Sequence, residues 1–529
     1  MLGALLLLLQ ATPALPRPVA PAPREHPQLA VLIVVDQMRP DYFTRFGPQL
    51  TGGLRRILDQ GTLYLDGRQD HGMTETAPGH STLLSGRVPA HTGILANNLG
   101  VNDPAYSAVG GPGYGASPLR FQGTTLYDWM VAHDSATRVF SVSRKDRGAI
   151  LPIGRARRDV YWWINSRFGT SRYYRDSLPS WLKAYNTRPG WRRFLGASWT
   201  PLLPDSAYPE PDSEPWEHRG KDFTFPHQMP ADSATLAVQI VAYPYMDSLT
   251  LDLALEGTAQ LQLGHRDAGP DLLVVSLSTT DAIGHGYGPD SKEMHDQILR
   301  LDHWLGWFQD SLAKLVPGDR ILWALSADHG VQSWSEYTVE HGGHGARLDL
   351  DSRVDTLRKA MLDRWGTTFN LAHEDGLIYG DIPAMKARGI DVAKLADSLA
   401  AVVRGMEGVR AVFTPRALAR ARAADPLARV WRRAIPASQG WLVASSPVDG
   451  YVWDHTDHGS TALLDQRVPI AFWGIGIPAG TTTRTISTTD IAPTLAALLH
   501  VKPTEPVDGT VLPEIAPRLP GHLPRGLRP

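Results

Sequence analysis

Ala30-Val31-Leu32-Ile33-Val34-Val35-Asp36 is six consecutive apolar residues, four of them β-branched, that stop on an aspartate. An unbroken apolar run of this length has the pattern of a strand buried on both faces, as in a parallel sheet covered by helices. Three more runs share it, at 272–277, 321–325 and 468–473, and all four are expected to be parallel strands. Helical patterns lie between them at 54–58, 292–315 and 390–403. Strand and helix therefore alternate, and the fold class is α/β: a central, mostly parallel sheet with helices on both faces.

The flanking stretches read differently. Residues 99–270 are rich in aromatics, Pro and Gly, including Tyr161, Trp162, Trp163, Tyr173, Tyr174 and Trp181, and are expected to form an inserted cap. Residues 346–439, with an amphipathic helix over 392–403, are expected to form a second inserted subdomain. Residues 1–9 are almost wholly apolar and run into an Ala/Pro stretch ending at 23, the pattern of a signal peptide and leader and too short to span a bilayer of about 30 Å. The expected product is periplasmic or secreted, with a catalytic domain over 27–518.

With 529 residues the chain can bury a large core. Its 43% apolar and 20% charged content is ordinary globular usage, and a formal charge of −2 without a long basic run excludes sequence-independent nucleic-acid binding. Cysteine is absent, which removes disulfides and thiolate metal sites, so any metal must be held by His and carboxylate.

Ligands in an open α/β sheet bind beyond the carboxyl ends of the strands. Asp36 follows the first run; Asp281 and His285 follow the second; Asp328 and His329 follow the third; His458, before the fourth, can loop back to the same edge. Three Asp and three His are an oxygen and nitrogen set that suits zinc, and less well manganese or iron. A lone Asp or His beyond a strand is more often a helix cap or loop hydrogen-bonder; three groups together point to metal. Thr74-Glu75-Thr76-Ala77-Pro78-Gly79-His80 adds a hydroxyl: Pro78 reads as a first-turn proline, so Thr76 is expected just before a helix N-terminus, where amides and the macrodipole favour an alkoxide and an anion. Alone, it would read as a capping threonine.

In order and spacing, Asp36, Thr76, Asn97, Asp281-x-x-x-His285, Asp328-His329 and His458 resemble the alkaline phosphatase superfamily. The resembling branch includes the type I phosphodiesterase/nucleotide pyrophosphatases and the PafA-like phosphate monoesterases. The likeness spans about 31–509, including Thr489-Asp490-Ile491-Ala492-Pro493-Thr494 and Asp508-Gly509. It implies an alkaline-phosphatase-like fold and two zinc ions, one held by Asp36, Thr76, Asp328 and His329, the other by Asp281, His285 and His458. It also implies that Thr76 is the nucleophile, passing through a phosphothreonine, and that Asn97 donates to a phosphoryl oxygen. Ser143-Arg144-Lys145-Asp146-Arg147 resembles the Lys-x-Arg segment of the monoesterases; in an extended segment Lys145 and Arg147 point the same way and can reach one anion. The following 153–158, with Arg155, Arg157 and Arg158, is more basic than that pattern.

The expected substrates are small phosphate monoesters, whose three terminal oxygens match the extra cations. A phosphodiesterase or nucleotide pyrophosphatase shares every metal ligand and is the nearest alternative. A sulfatase would need Cys or Ser where Thr76 stands. A non-catalytic phosphate- or metal-binding protein remains the alternative from another class, although all seven metal-contacting positions are filled. His341, His344 and His455 are read as loop residues, His80 as packing or hydrogen-bonding, and the 161–174 aromatics as cap core.

Overall fold

The computed structural model describes residues 26–188, 190–266, 269–453 and 458–516. The leader over 1–23, His455, Asp457 and the end of the expected domain past 516 lie outside them. Ten strands form one sheet: β1 (Leu29–Val35), β2 (Thr62–Arg68), β3 (Ala108–Val109), β4 (Val139–Ser143), β5 (Asp159–Ile164), β6 (Arg167–Ser171), β7 (Asp271–Leu277), β8 (Ile321–Ser326), β9 (Arg467–Gly474) and β10 (Gly480–Ser487). Their spatial order is β10-β2-β9-β8-β1-β7-β4-β5-β6-β3. At the centre β8, β1, β7, β4 and β5 are mutually parallel, with Leu29 opposite both Ile321 and Asp271. Every residue of β1, β7 and β8 is buried, as their unbroken apolar runs require. At about 1.5–3 kcal/mol for each buried Val, Leu or Ile, these strands form a stiff scaffold.

One expected parallel strand is not parallel. β9, the run at 468–473, pairs antiparallel with both β8 and β2. Burial on both faces sets an apolar run but not its direction, so the pattern could not distinguish the two. The reversal has a consequence for the site: the residues before β9, including His458, lie at the same sheet edge as the residues after β8 and β1.

The 99–270 stretch, expected as a cap, takes in part of the sheet itself: β4 pairs with β7, and β5 and β6 extend the same sheet. Tyr161, Trp162, Trp163, Phe168 and Tyr173 are buried, most of them in the main core. The later subdomain has a four-stranded sheet of its own, in the order Ala372–Glu374, Leu377–Tyr379, Trp441–Pro447, Val409–Phe413, and a separate apolar cluster around Val354, Ile378 and Leu442. It runs past the expected boundary at 439, because its third strand is Trp441–Pro447. Among the described residues no helix is long and apolar enough to cross a membrane.

Candidate active site

Four neighbouring parallel strands deliver polar residues to one edge. Asp36 follows β1, and Asp328 and His329 follow β8. After β7 the chain turns into helix α3 (Thr279–Tyr287), which carries Asp281 and His285 one turn apart; after β4, Lys145 sits at the N-terminus of helix α2 (Asp146–Ile150). Thr76 is the first residue of helix α1 (Thr76–Leu83), one position inside the expected boundary. That helix lies hard against the loop after β8, because a Cβ on Gly79 would collide with the Asp328 carbonyl.

Two groups of ligands converge. Asp36, Asp328 and His329 form one and Asp281, His285 and His458 the other, each with candidate ligand atoms within 4.8 Å of one another. Asp328 Oδ1 accepts from the N–H groups of Gln37 and His329 at 3.1 and 3.0 Å. The ring nitrogens of His285 and His458 face each other at 3.1 Å, and His458 stacks on His329 with centroids 3.8 Å apart. Asp36 Oδ1, Asp281 Oδ1 and His329 Nε2 are buried without a hydrogen-bond partner among the described residues. Their nearest opposite-type neighbours stand at 3.3 Å from His285 to Asp281, 3.4 Å from His329 to Asp36 and 3.8 Å from His458 to Asp281. Buried ionisable atoms that face common points without bonding are what a cation's donor set looks like before the cation is counted. The residues present fit metal ions.

Lys145 is the cation that touches both groups. Its Nζ donates to Thr76 Oγ1 at 3.1 Å and to Asp281 Oδ2 at 2.7 Å, and lies 2.6 Å from Asp36 Oδ2. Burial pushes the Asp36 and Asp281 carboxyls up, but Lys145 and the neighbouring imidazoles outweigh it and hold both well below the usual range. Burial and the adjacent His329 and His285 drive His458 well below its ordinary value, which favours the neutral ligand form.

Asn97 Oδ1 accepts from the Ala77 N–H at 2.9 Å, which leaves Nδ2 as the group free to donate outward. The extended segment expected around Lys145 and Arg147 is instead the start of a helix: Lys145 is extended and Arg147 is already helical, in a turn that the Ala149 N–H closes by donating to the Lys145 carbonyl at 3.2 Å. Arg147 Nη1 is 3.8 Å from Asp146, and its Nε is buried without a hydrogen-bond partner among the described residues. Lys145 and Arg147 therefore project from one turn at a helix start and not from one face of a strand. The basic residues beyond are occupied elsewhere: Arg155 donates to the Leu119 carbonyl, Arg157 lies over the Tyr173 ring, and Arg158 donates to the Tyr127 hydroxyl.

His80 hydrogen-bonds, as expected, while Arg144, Asp247 and Glu75 contribute without having been singled out in the sequence. His80 Nδ1 lies 2.8 Å from the Thr76 carbonyl and 3.1 Å from Asp328, while Nε2 lies 2.8 Å from Ser276 Oγ, so it ties α1 to β7 and β8. Arg144 donates to the Ser278 carbonyl and stands 3.7 Å from Asp281. Asp247 accepts from the Thr279 N–H and hydroxyl and from Gln297, bracing the N-terminus of α3. Glu75 accepts from the Asn97 N–H at 2.7 Å. His341 and His344 are exposed, the former stacked on Tyr337, in keeping with a loop role.

The family model for type I phosphodiesterase / nucleotide pyrophosphatase matches residues 30–461. The chain belongs to this family. Alkaline phosphatase PhoV of Synechococcus elongatus is 30% identical over 94% of this chain and 94% of its own length. Alkaline phosphatase PhoK of Sphingomonas sp is 31% identical, covering 93% of this chain and 91% of its own. The crystal structure of alkaline phosphatase PafA superposes with a TM-score of 0.84 at 27% identity, over 93% of this chain and 99% of that one. The protein is thus a phosphoric ester hydrolase with an alkaline-phosphatase-like fold, and its Asp and His clusters suit metal ions.

Proposed function

We propose that the protein is an exported alkaline phosphatase that hydrolyses phosphate monoesters through a phosphothreonine at Thr76. The observation that carries this reading is Lys145 Nζ, 3.1 Å from the Thr76 hydroxyl and flanked by Asp36 and Asp281. A cation beside the nucleophile, with Arg147 near it, offers positive charge to the three terminal oxygens of a monoester dianion; a diester has two such oxygens and one fewer charge. Asn97 Nδ2 supplies a neutral donor to the same group.

Two ions, most suitably zinc for this set of oxygen and nitrogen ligands, would be held by Asp36, Thr76, Asp328 and His329 and by Asp281, His285 and His458. When bound they supply Lewis-acid activation of the attacking hydroxyl and stabilisation of the leaving oxygen. The chain's own residues do the rest. Thr76 Oγ1 attacks phosphorus in line with the ester oxygen, α1 directs its N-terminal amides at the anion, and Lys145, Arg147 and Asn97 hold the oxygens not in flight. Water then cleaves the phosphothreonine, and the two inversions give net retention at phosphorus. Export rests on the apolar 1–9 run and the leader to 23.

The test compares an aryl phosphate with the matching aryl phosphate diester. The wild type is expected to favour the monoester, and Lys145→Ala/Arg147→Ala to lose about 10²–10³-fold on the monoester while changing little on the diester. Faster diester cleavage by the wild type would reassign the protein to phosphodiester or pyrophosphate hydrolysis.

A further inference from the structure

The later subdomain meets the site through the turn between its strands Ala372–Glu374 and Leu377–Tyr379. Glu374 accepts the Asn98 N–H on both carboxylate oxygens, at 3.1 and 3.3 Å. One residue earlier, the Asn97 N–H is held by Glu75 at 2.7 Å. Two consecutive amides are therefore each held by a carboxyl group, one from the residue before Thr76 and one from a hairpin 276 residues beyond Asn98. The next residue of the turn, Asp375, packs on Gly459 beside His458; Gly459 has φ +91°, and a Cβ there would collide with the Asp375 carboxylate. The hairpin is fixed in place, since Leu377 and Tyr379 share an apolar cluster with Met73, Leu95 and Ala96 from the segments that lead into Thr76 and Asn97.

This arrangement crowds Glu75, Glu374 and Asp375 together. Burial, with Asp375 adding to it, pushes Glu374 up to about 7 against the pull of the Asn98 amide. A backbone amide alone could be satisfied by a neutral Asn or Gln at far lower electrostatic cost. A carboxyl stands there nonetheless, bonded to the loop whose side chain must face the phosphoryl group.

We propose that Glu374 is a positioning residue for the reaction: by holding the Asn98 amide it fixes the loop so that Asn97 Nδ2 meets a phosphoryl oxygen. The proposal rests on the monoester reading above. The inserted subdomain is then part of the active site's framework, reaching in through one hairpin turn.

The test is a double-mutant cycle on the intact, metal-replete protein, read by aryl phosphate kcat/KM and by affinity for inorganic phosphate. Glu374→Ala should lower both about tenfold in the wild-type background and less than twofold in the Asn97→Ala background, with metal content unchanged. Glu374→Gln, whose amide oxygen still accepts from Asn98, should recover most of the loss. Equal losses in both backgrounds, or a loss that follows metal content, overturn the proposal while leaving the monoesterase reading intact. A wild type that neither cleaves the monoester nor binds phosphate overturns both.

Discussion

The two ligand clusters use the same side-chain chemistry and differ in what holds them. Asp36, Asp328 and His329 sit directly on the ends of adjacent parallel strands and are fully buried; two backbone amides lock Asp328 and the Gly330 carbonyl orients His329. Asp281, His285 and His458 come from a helix face and a loop, and the His285 side chain is 33% exposed. Sheet ends place candidate ligands rigidly and out of water, whereas the helix leaves His285, though not Asp281 or His458, where solvent and chelators can enter. The buried cluster should therefore be part of the folded core, and the open one should exchange its ion.

The largest test of that contrast is ligand removal. Asp36→Ala is expected to lower monoester turnover at least about 10³-fold and to lower the melting temperature of the metal-replete protein as well. His285→Ala is expected to cost about 10²-fold in turnover with a melting temperature within about 2 °C of wild type. Equal destabilisation by the two substitutions, seen by calorimetry, would abolish the distinction. On chelator titration, activity should vanish when one equivalent of metal has left, with the second still bound by elemental analysis, and His285→Ala should retain only that second equivalent. Simultaneous loss of both ions would contradict the contrast.

A subtler lesion reaches the open cluster from a distance. Asp247→Ala removes the carboxylate that braces the start of α3, and should weaken binding of the exchangeable ion about tenfold without affecting the buried one. The smallest expected effect concerns the segment packed on the other end of α3, where His218 stacks on Tyr287. Burial and the nearby Glu293, Glu214 and Asp212 push Glu217 from 4.5 up to about 10. A carboxyl raised in the fold favours folding while it is protonated in both states, and that contribution is lost as pH climbs from about 4.5 to about 10. Glu217→Gln should therefore raise the melting temperature by about 2 °C at pH 9 and leave it unchanged at pH 4. An equal shift at both pH values would show that Glu217 is not carrying a proton.

The same contrast explains what could be read beforehand. Candidate ligands that follow an apolar strand, such as Asp36 and Asp328-His329, were legible because burial on both faces writes a continuous hydrophobic run and the candidate site lies at its end. His458 was legible by motif, although the direction of β9, which brings it to the edge, was not: a buried run looks alike in either orientation. The placement of β4, β5 and β6 in the main sheet was obscured by aromatics and glycines that resembled a cap. Lys145 and Arg147 were singled out by resemblance alone, and their setting at a helix start was not foreseen, since a five-residue helix starting on Asp146 leaves little periodicity. Glu374 and Asp247 left no trace, because each acts on a backbone amide far away in sequence and any acceptor there satisfies local patterning.

The most direct test of the whole account is turnover of an aryl phosphate by Thr76→Ala prepared with its full complement of metal. A loss of about 10⁴-fold or more with the ions retained is the predicted result; activity within tenfold of wild type would contradict an edge of the sheet built to present that one hydroxyl to phosphorus.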